Sequence, residues 1–180
     1  MKRYFHDELE QLRSSLILIG EKAAHAGHMA IDGYLENDLE KTEAAIALDD
    51  EIDALEVEID RACVRYITLR SPVSTDVRLI FVAIKASHDL ERAGDEAHNI
   101  AKRTRNILLR DSKTLCTESI AEMSQIAFSM MQDAITCFLD EDCEMAKRII
   151  ARDEEVDKIN KENFLLLASK DDAQHHDNST

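Results

Sequence analysis

An all-α fold of long antiparallel helices is what this sequence predicts, on three observations. Gly and Pro together number 5 in 180 residues, where average usage gives roughly 20; sheets and barrels need turn formers far more often. Apolar residues recur every seven positions, split four and three, the pattern of helices packed at about +20°. They make up 44% of the chain, with 4% aromatics and no Trp. That is enough for a core of Leu, Ile, Val, Ala and Met, and it excludes wholesale disorder.

The elements follow in order. A first helix carries Phe5, Leu9, Leu12, Leu16, Ile19, Ala23, Ala26 and Ala30 on its seam, and Asn37-Asp38 breaks it. A second carries Leu48, Ile52, Leu55, Ile59, Ala62, Tyr66 and Leu69, and Ser71-Pro72 ends it. Ser74 or Thr75 stands ready to cap a third helix, with Asp76 in its first turn. That helix, roughly Val73–Ile107, carries Leu79, Ala83, Ala86, Leu90, Ala93, Ala97 and Ile100. After Asp111-Ser112, a fourth carries Ile120, Met123, Ala127, Met130, Ala134 and Cys137. Asp140 to Asp142 turns the chain into a fifth, with Met145, Ile149, Val156, Ile159 and Leu166. From Lys170 onward the sequence is polar.

Self-comparison exposes a repeat. Ile31–Glu56 aligns without gaps to Ile135–Asn160, at an offset of 104 residues. Identical pairs include Leu35/Leu139, Asp38/Asp142, Glu40/Glu144, Asp49/Asp153 and Asp53/Asp157. The repeat predicts a three-helix unit over residues 1–110 and a second over 111–180. Adding the offset to the third helix puts its counterpart at about 177–211, and the sequence stops at Thr180. The second unit is therefore expected to be a two-helix hairpin.

Twenty-two basic residues face 37 acidic ones, a net charge of −15. Phosphate backbones and anionic headgroups repel such a surface, whereas cations and basic partner faces suit it. Nucleic acid is not an expected partner. Cys63, Cys116, Cys137 and Cys143 form no CxxC and no zinc spacing, and read as small core residues in a reducing compartment. Met1–His6 runs straight into the amphipathic pattern, so no leader is expected. Apolar runs such as Ser15–Ile19 and Leu79–Ile84 are far shorter than the roughly 18 residues of a spanning helix. The expected location is the cytoplasm, without membrane insertion.

The chemistry-bearing residues are carboxylates one helical turn apart: Asp49 with Asp53, Glu91 with Asp95, and Asp153 with Asp157. Such a step is about 40° of rotation and 6 Å of rise, so both acids leave one face. Two pairs on neighbouring helices would gather four oxygen donors, as hard cations require. Along Phe81, Ile84, His88, Glu91, Asp95 and His98, an apolar stripe turns ionisable. Any single pair is common in so acidic a chain; the recurrence of Asp49/Asp53 in register as Asp153/Asp157 is not explained by that. His25 with His28, and Arg78, read as surface residues. Gly94 in mid-helix marks close approach of a neighbour or of an ion, with packing the favoured reading. No phosphate-cradling loop or nucleophile motif is present, and no enzyme activity is expected. A ferritin-like di-metal oxidase would need two E-x-x-H motifs, and only Asp95-x-x-His98 approximates one. A plain helical interaction module is the third alternative.

At Arg70-Ser71-Pro72-Val73-Ser74-Thr75-Asp76-Val77-Arg78-Leu79 and Asp89-Leu90-Glu91-Arg92-Ala93-Gly94-Asp95-Glu96-Ala97-His98-Asn99-Ile100 the sequence closely resembles the PhoU family, with its R-x-P-V-x-x-D-x-R-L and D-L-E-R-x-G-D-x-A-x-N-I patterns. The resemblance runs to about Ala168. It implies two tandem PhoU-like three-helix bundles, here one complete and one lacking its last helix and second D-L-E-R-x-G-D motif. It implies surface metal clusters on E(D)xxxD motifs, which map to Asp49 and Asp53, Glu91 and Asp95, and Asp153 and Asp157. The cation would be iron, zinc, manganese or magnesium. His88 stands where the family usually has Asn, and His98 is also atypical; a nitrogen ligand from either favours zinc or iron over magnesium. The resemblance further implies a cytoplasmic negative regulator that links the phosphate ABC transporter to a sensor histidine kinase. Because the hairpin leaves its apolar seams uncovered, a homodimer joined through residues 114–168 is expected.

Overall fold

The structure, a computed structural model, describes residues 2–110, 112 and 118–177, with side chains described over 7–110, 112 and 118–165. Six helices follow one another: α1 Lys2–Glu36, α2 Leu39–Ala47, α3 Asp49–Arg70, α4 Ser74–Leu108, α5 Glu118–Asp140 and α6 Cys143–Asp177. There is no strand among the described residues. The chain divides into two compact units, Met1–Leu115 and Cys116–Thr180.

In the first unit α1 packs on α4, α2 and α3, and α4 packs in turn on α2 and α3. The predicted first seam holds from Leu12 onward: Leu12, Leu16, Ile19, Ala23, Ala26 and Ala30 are buried, Leu9 is half-buried, and the Phe5 side chain lies outside the described residues. The second predicted helix is instead two. It restarts at Leu48, which keeps helical φ and ψ of −73° and −20° while ending α2 and opening α3. Asp49, Asp50 and Glu51 then fall in the first turn of α3, where the positive end of the helix dipole favours them. These acids do not decide the break alone, since Asp153, Glu154 and Glu155 occupy the matching places in an uninterrupted α6. There the counterpart of Leu48 is Arg152, which bonds across to Asp133 at 2.7 Å and to Ser129.

Two seams are displaced from expectation. On α3 the buried positions are Ile52, Ile59, Cys63 and Tyr66, whereas Ala62 and Leu69 are exposed. On α4 the stripe is Ile80, Ala83, Ser87, Gly94, Ala97, Ala101 and Thr104, so Ala86, Ala93 and Ile100 lie one position off. The cause is small residues: Gly94 lets Ile52 approach so closely that an added Cβ would lie 2.8 Å from its Cδ1. The glycine therefore serves packing, the favoured of its two readings. Buried Thr42 donates to the carbonyl of Asp38, the cap of its helix, and buried Ser87 and Thr104 to carbonyls of their own helix, at 2.7, 3.1 and 2.9 Å, which satisfies hydroxyls removed from water. The cap of α4 is Val73, without a side-chain bond, because the helix starts at Ser74 rather than after it.

The second unit is the hairpin of α5 and α6. Its turn repeats that of α1 and α2 in detail. Asn37 and Glu141 are both left-handed, with φ of 56° and 53°. Asp38 caps α2 by accepting from the N–H groups of Glu40 and Lys41; Asp142 caps α6 by accepting from Glu144 and Met145. Asp38 N–H donates to Gly33 O at 3.0 Å, and Asp142 N–H to Cys137 O at 3.1 Å. Inside the first turn the Thr42 hydroxyl donates to Asp38 O; inside the second the Cys137 thiol donates to Asp142 O at 3.0 Å. Gly33 thus corresponds to Cys137 and Thr42 to Ala146. No residue of α5 is fully buried, and Met123, Ala127, Met130, Ile149, Val156 and Ile159 are only half-buried. The thiols are not uniformly core residues: Cys63 is buried, Cys137 is half-buried and Cys143 is exposed, while Cys116 lies outside the described residues.

Candidate metal centre

Two stripes of ligand-type side chains face each other across the α3–α4 seam. The restart at Leu48 sets Asp49 at the head of α3, with Asp53 and Glu56 following at spacings of four and three. On α4 the stripe His88, Glu91, Asp95 and His98 runs at three, four and three. Both spacings keep side chains on one helix face. The contact of Gly94 with Ile52 holds the two stripes close.

The four carboxylates expected to form one site fall into two groups. Asp49, Asp53 and Asp95 bring one oxygen each to within 4.8 Å of one another. Glu91 belongs to a neighbouring group with Glu56 and His88, on the same 4.8 Å scale. Glu56 was not among the expected residues, although its place three positions after Asp53 is the signal that finds it. Asp153 and Asp157 are exposed on α6 and join no group of three such side chains among the described residues. The repeat equivalent of Glu56 is Asn160, so this stripe lacks its third acid.

The electrostatics are those of crowded anions. Burial, with Asp53, Asp95 and Asp50 adding to it, pushes the Asp49 carboxyl above its ordinary range against the pull of His98. Burial also raises Glu91, helped by Asp95, Glu56 and Asp53 and opposed by His88. Like charges held this close disfavour one another's ionised form. His88 Nδ1 lies 3.2 Å from Glu56 Oε1 and 3.7 Å from Glu91 Oε2. His98 Nδ1 lies 2.9 Å from Asp49 Oδ2, an ion pair whenever the imidazole is protonated, and the nitrogen is shut off from solvent without a hydrogen bond. A buried nitrogen without a hydrogen bond costs free energy. Its neighbour is Asp49, while the group of Asp49, Asp53 and Asp95 does not include it. His25 and His28 are exposed on α1 and join no such group.

The description of the PhoU domain matches residues 16–104 and again 120–177. The chain belongs to the PhoU family. A phosphate-specific transport system accessory protein PhoU homolog of Aquifex aeolicus is 37% identical over 153 residues, 84% of this chain and 68% of that protein. The phosphate-specific transport system accessory protein PhoU of Escherichia coli is 30% identical over 154 residues, covering 86% and 64%. Among solved structures, PhoU from Pseudomonas aeruginosa matches with a TM-score of 0.87 at 28% identity, over 92% of this chain and 79% of that one. The phosphate transport system regulatory protein PhoU from Streptococcus pneumoniae matches at 0.78 and 26% identity, covering 86% and 72%. The fold is thus that of PhoU, a helical bundle built on an internal repeat. No helix among the described residues is long and apolar enough to cross a membrane.

Proposed function

We propose that this PhoU-family chain is a cytoplasmic regulator of phosphate uptake and phosphate-starvation signalling. It acts by binding the phosphate ABC transporter's ATPase and a sensor histidine kinase, without catalysing a reaction itself. The observation that carries this reading is that both repeats match the family and that the relatives are accessory proteins of phosphate transport. A net charge of −15 suits basic faces on the two partners.

The α3–α4 band holds a cation in this reading, through Asp49, Asp53 and Asp95 with Glu91 beside them. The cation neutralises carboxylates whose mutual repulsion otherwise opposes the packing of α3 on α4. Metal therefore raises the melting temperature of the chelator-stripped chain, and Asp53→Asn with Asp95→Asn removes that response. A double variant that answers manganese, iron or zinc as the parent does places the cation elsewhere. The chain assembles as a homodimer through α5 and α6, whose half-buried apolar seams meet a second copy. Retention of the ATPase and the kinase on the immobilised chain, weakened by chelator, is the expected result. If neither is retained with metal present, the adaptor reading falls.

A further inference from the structure

The outer edge of the α3–α4 seam changes character along its length. Ile52 beside Gly94, Glu56 beside His88 and Tyr66 bonded to Asp76 fix an antiparallel register. At one end that register brings Asp49, Asp53 and Glu56 to Glu91 and Asp95. At the other it sets Val64 opposite Phe81 and Ile67 opposite Val77. The apolar residues continue the same rows in steps of three and four: Glu56, Asp60, Val64 and Ile67 on α3, and His88, Ile84, Phe81 and Val77 on α4. They do not turn inward. The inner places at this level belong to Cys63, Tyr66, Ile80 and Ala83, all buried, and Phe81, Val64 and Ile67 are 63%, 61% and 46% exposed.

Apolar residues scattered singly on a surface need no partner, but a contiguous patch bounded by charge marks an interaction site. We propose that this edge docks an amphipathic helix of a partner protein, whose contact face carries aliphatic side chains at one end and Lys or Arg at the other. The helix belongs to one of the two partners of the adaptor reading, on which this assignment rests. A helix docked in a groove is held through anchors at spacings of three, four and seven, and Val77, Phe81 and Ile84 offer holes at that spacing on one wall.

Each half of the edge rejects a different alternative. A wholly apolar helix would bury the carboxylates unpaired, at a desolvation cost. A wholly basic one would leave Phe81 and Val64 in water. A nucleic-acid or lipid surface is anionic, and the acidic half and the net charge of −15 both repel it. A second copy of the chain is disfavoured on this edge for the same reason. Cationic side chains on the partner meet the acidic half and fix the direction in which the helix lies.

Two helical peptides of equal composition, each of about 20 residues, serve as probes. One groups leucines at one end of a face and lysines at the other; the second alternates them along the same face. Fluorescence anisotropy reads their binding to the full chain in chelator-containing buffer, so that no cation competes with the lysines. The parent is expected to bind the grouped peptide at least about tenfold more tightly. Phe81→Ala with Val64→Ala abolishes that preference and keeps a weak, salt-sensitive binding of both peptides. Leu109→Ala, at a position 66% exposed at the C-terminal cap of α4, keeps the parental preference. Metal-free melts of each variant serve as the folding control. Equal or absent binding of the two peptides by the parent, or a preference that survives in the double variant, overturns the assignment. So does a change of sedimentation in the double variant, which gives the edge to a second copy. Retention of the transporter ATPase and the sensor kinase, read with metal present on the same variants, separates the two readings. If the parent retains neither, the adaptor reading falls and the peptide preference alone decides the surface. If the double variant retains both as the parent does, their docking surface is not this edge.

Discussion

Gly94→Ala tests the packing that brings the two helices of the acidic α3–α4 band together. In a solvated helix interior this change stabilises by about 1 kcal/mol, because glycine loses more backbone freedom on folding. Here the added methyl would lie 2.8 Å from Ile52 Cδ1 and 3.1 Å from its Cγ2. Ile52 is 1% exposed, so it has no free space in which to turn away. Overpacking of this kind costs about 1–3 kcal/mol. The balance is a net loss of about 1 kcal/mol, which lowers the melting temperature by about 3 °C. Ile52→Val removes the atom closest to the new methyl and by itself costs about 1 kcal/mol. In the double variant the two losses are expected to fall short of their sum by at least about 0.5 kcal/mol. Urea denaturation of the chelator-stripped chain, followed by circular dichroism, measures all four corners of the cycle. If Gly94→Ala raises stability by the full helical gain, or the cycle is additive, then Ile52 does not press on Gly94 and the proximity of the two ligand stripes needs another cause.

Three further outcomes follow from the same structure. The N–H of Met145, with that of Glu144, holds the Asp142 carboxyl below its ordinary range; such a group stabilises the fold above its unfolded pKa of about 4 and loses that contribution as pH falls through its folded value. Asp142→Asn keeps a cap that does not titrate, so melts between about pH 5 and pH 3 should show a shallower acid loss than in the parent; an equal loss refutes the role. Burial, with Asp60 nearby, pushes the Cys63 thiol up to about 11, so iodoacetamide at mild alkaline pH should label exposed Cys143 and spare Cys63, read by peptide mass spectrometry. Ile159→Glu should convert a dimer to monomers in sedimentation without loss of helix, whereas Leu12→Glu, at a position 4% exposed, should unfold the first unit; a parent that sediments as a monomer at micromolar concentration refutes the dimer.

Helix type and the main turns were legible because they rest on local chemistry. Asn37-Asp38 and Asp140 to Asp142 are turns for the same reason in both repeats: a left-handed residue followed by an aspartate that caps the next helix. The seam of α1 followed its heptads, with Leu12, Leu16 and Ile19 as large apolar anchors and Ala23, Ala26 and Ala30 continuing their spacing. The seam of α4 did not, because Ser87, Gly94 and Ala101 carry little hydrophobicity, and only a partner such as Ile52 reveals them as the inner face. The restart at Leu48 left no mark in the sequence, since the residue is apolar, on pattern and helical in its own dihedrals. Carboxylate pairs on α3 and α4 were visible as one-turn spacings. Their division into two groups was not, because that depends on the offset between two helices rather than on the spacing within either. Glu56 carried a signal in its place three positions after Asp53, but its partners His88 and Glu91 lie across the seam.

The two hairpin turns share a backbone and divide its interior space differently. Gly33 leaves room for the Thr42 hydroxyl, and a Cβ there would collide with that hydroxyl and come within 3.0 Å of Thr42 N. In the other half the larger residue is Cys137 and the smaller is Ala146, and the thiol takes up the hydrogen bond that the threonine makes. The two copies hold mutually exclusive fillings. Neither filling converts to the other through a single neutral step. Enlarging Gly33 first creates a collision, and shrinking Thr42 first opens a void and removes one of the two hydrogen bonds that Asp38 O accepts. The copies are consequently not interchangeable residue by residue. A chimaera that exchanges the whole stretch from Ile31 to Ala45 for its counterpart keeps each pair intact, whereas one that crosses over between the paired positions inherits two large residues or two small ones.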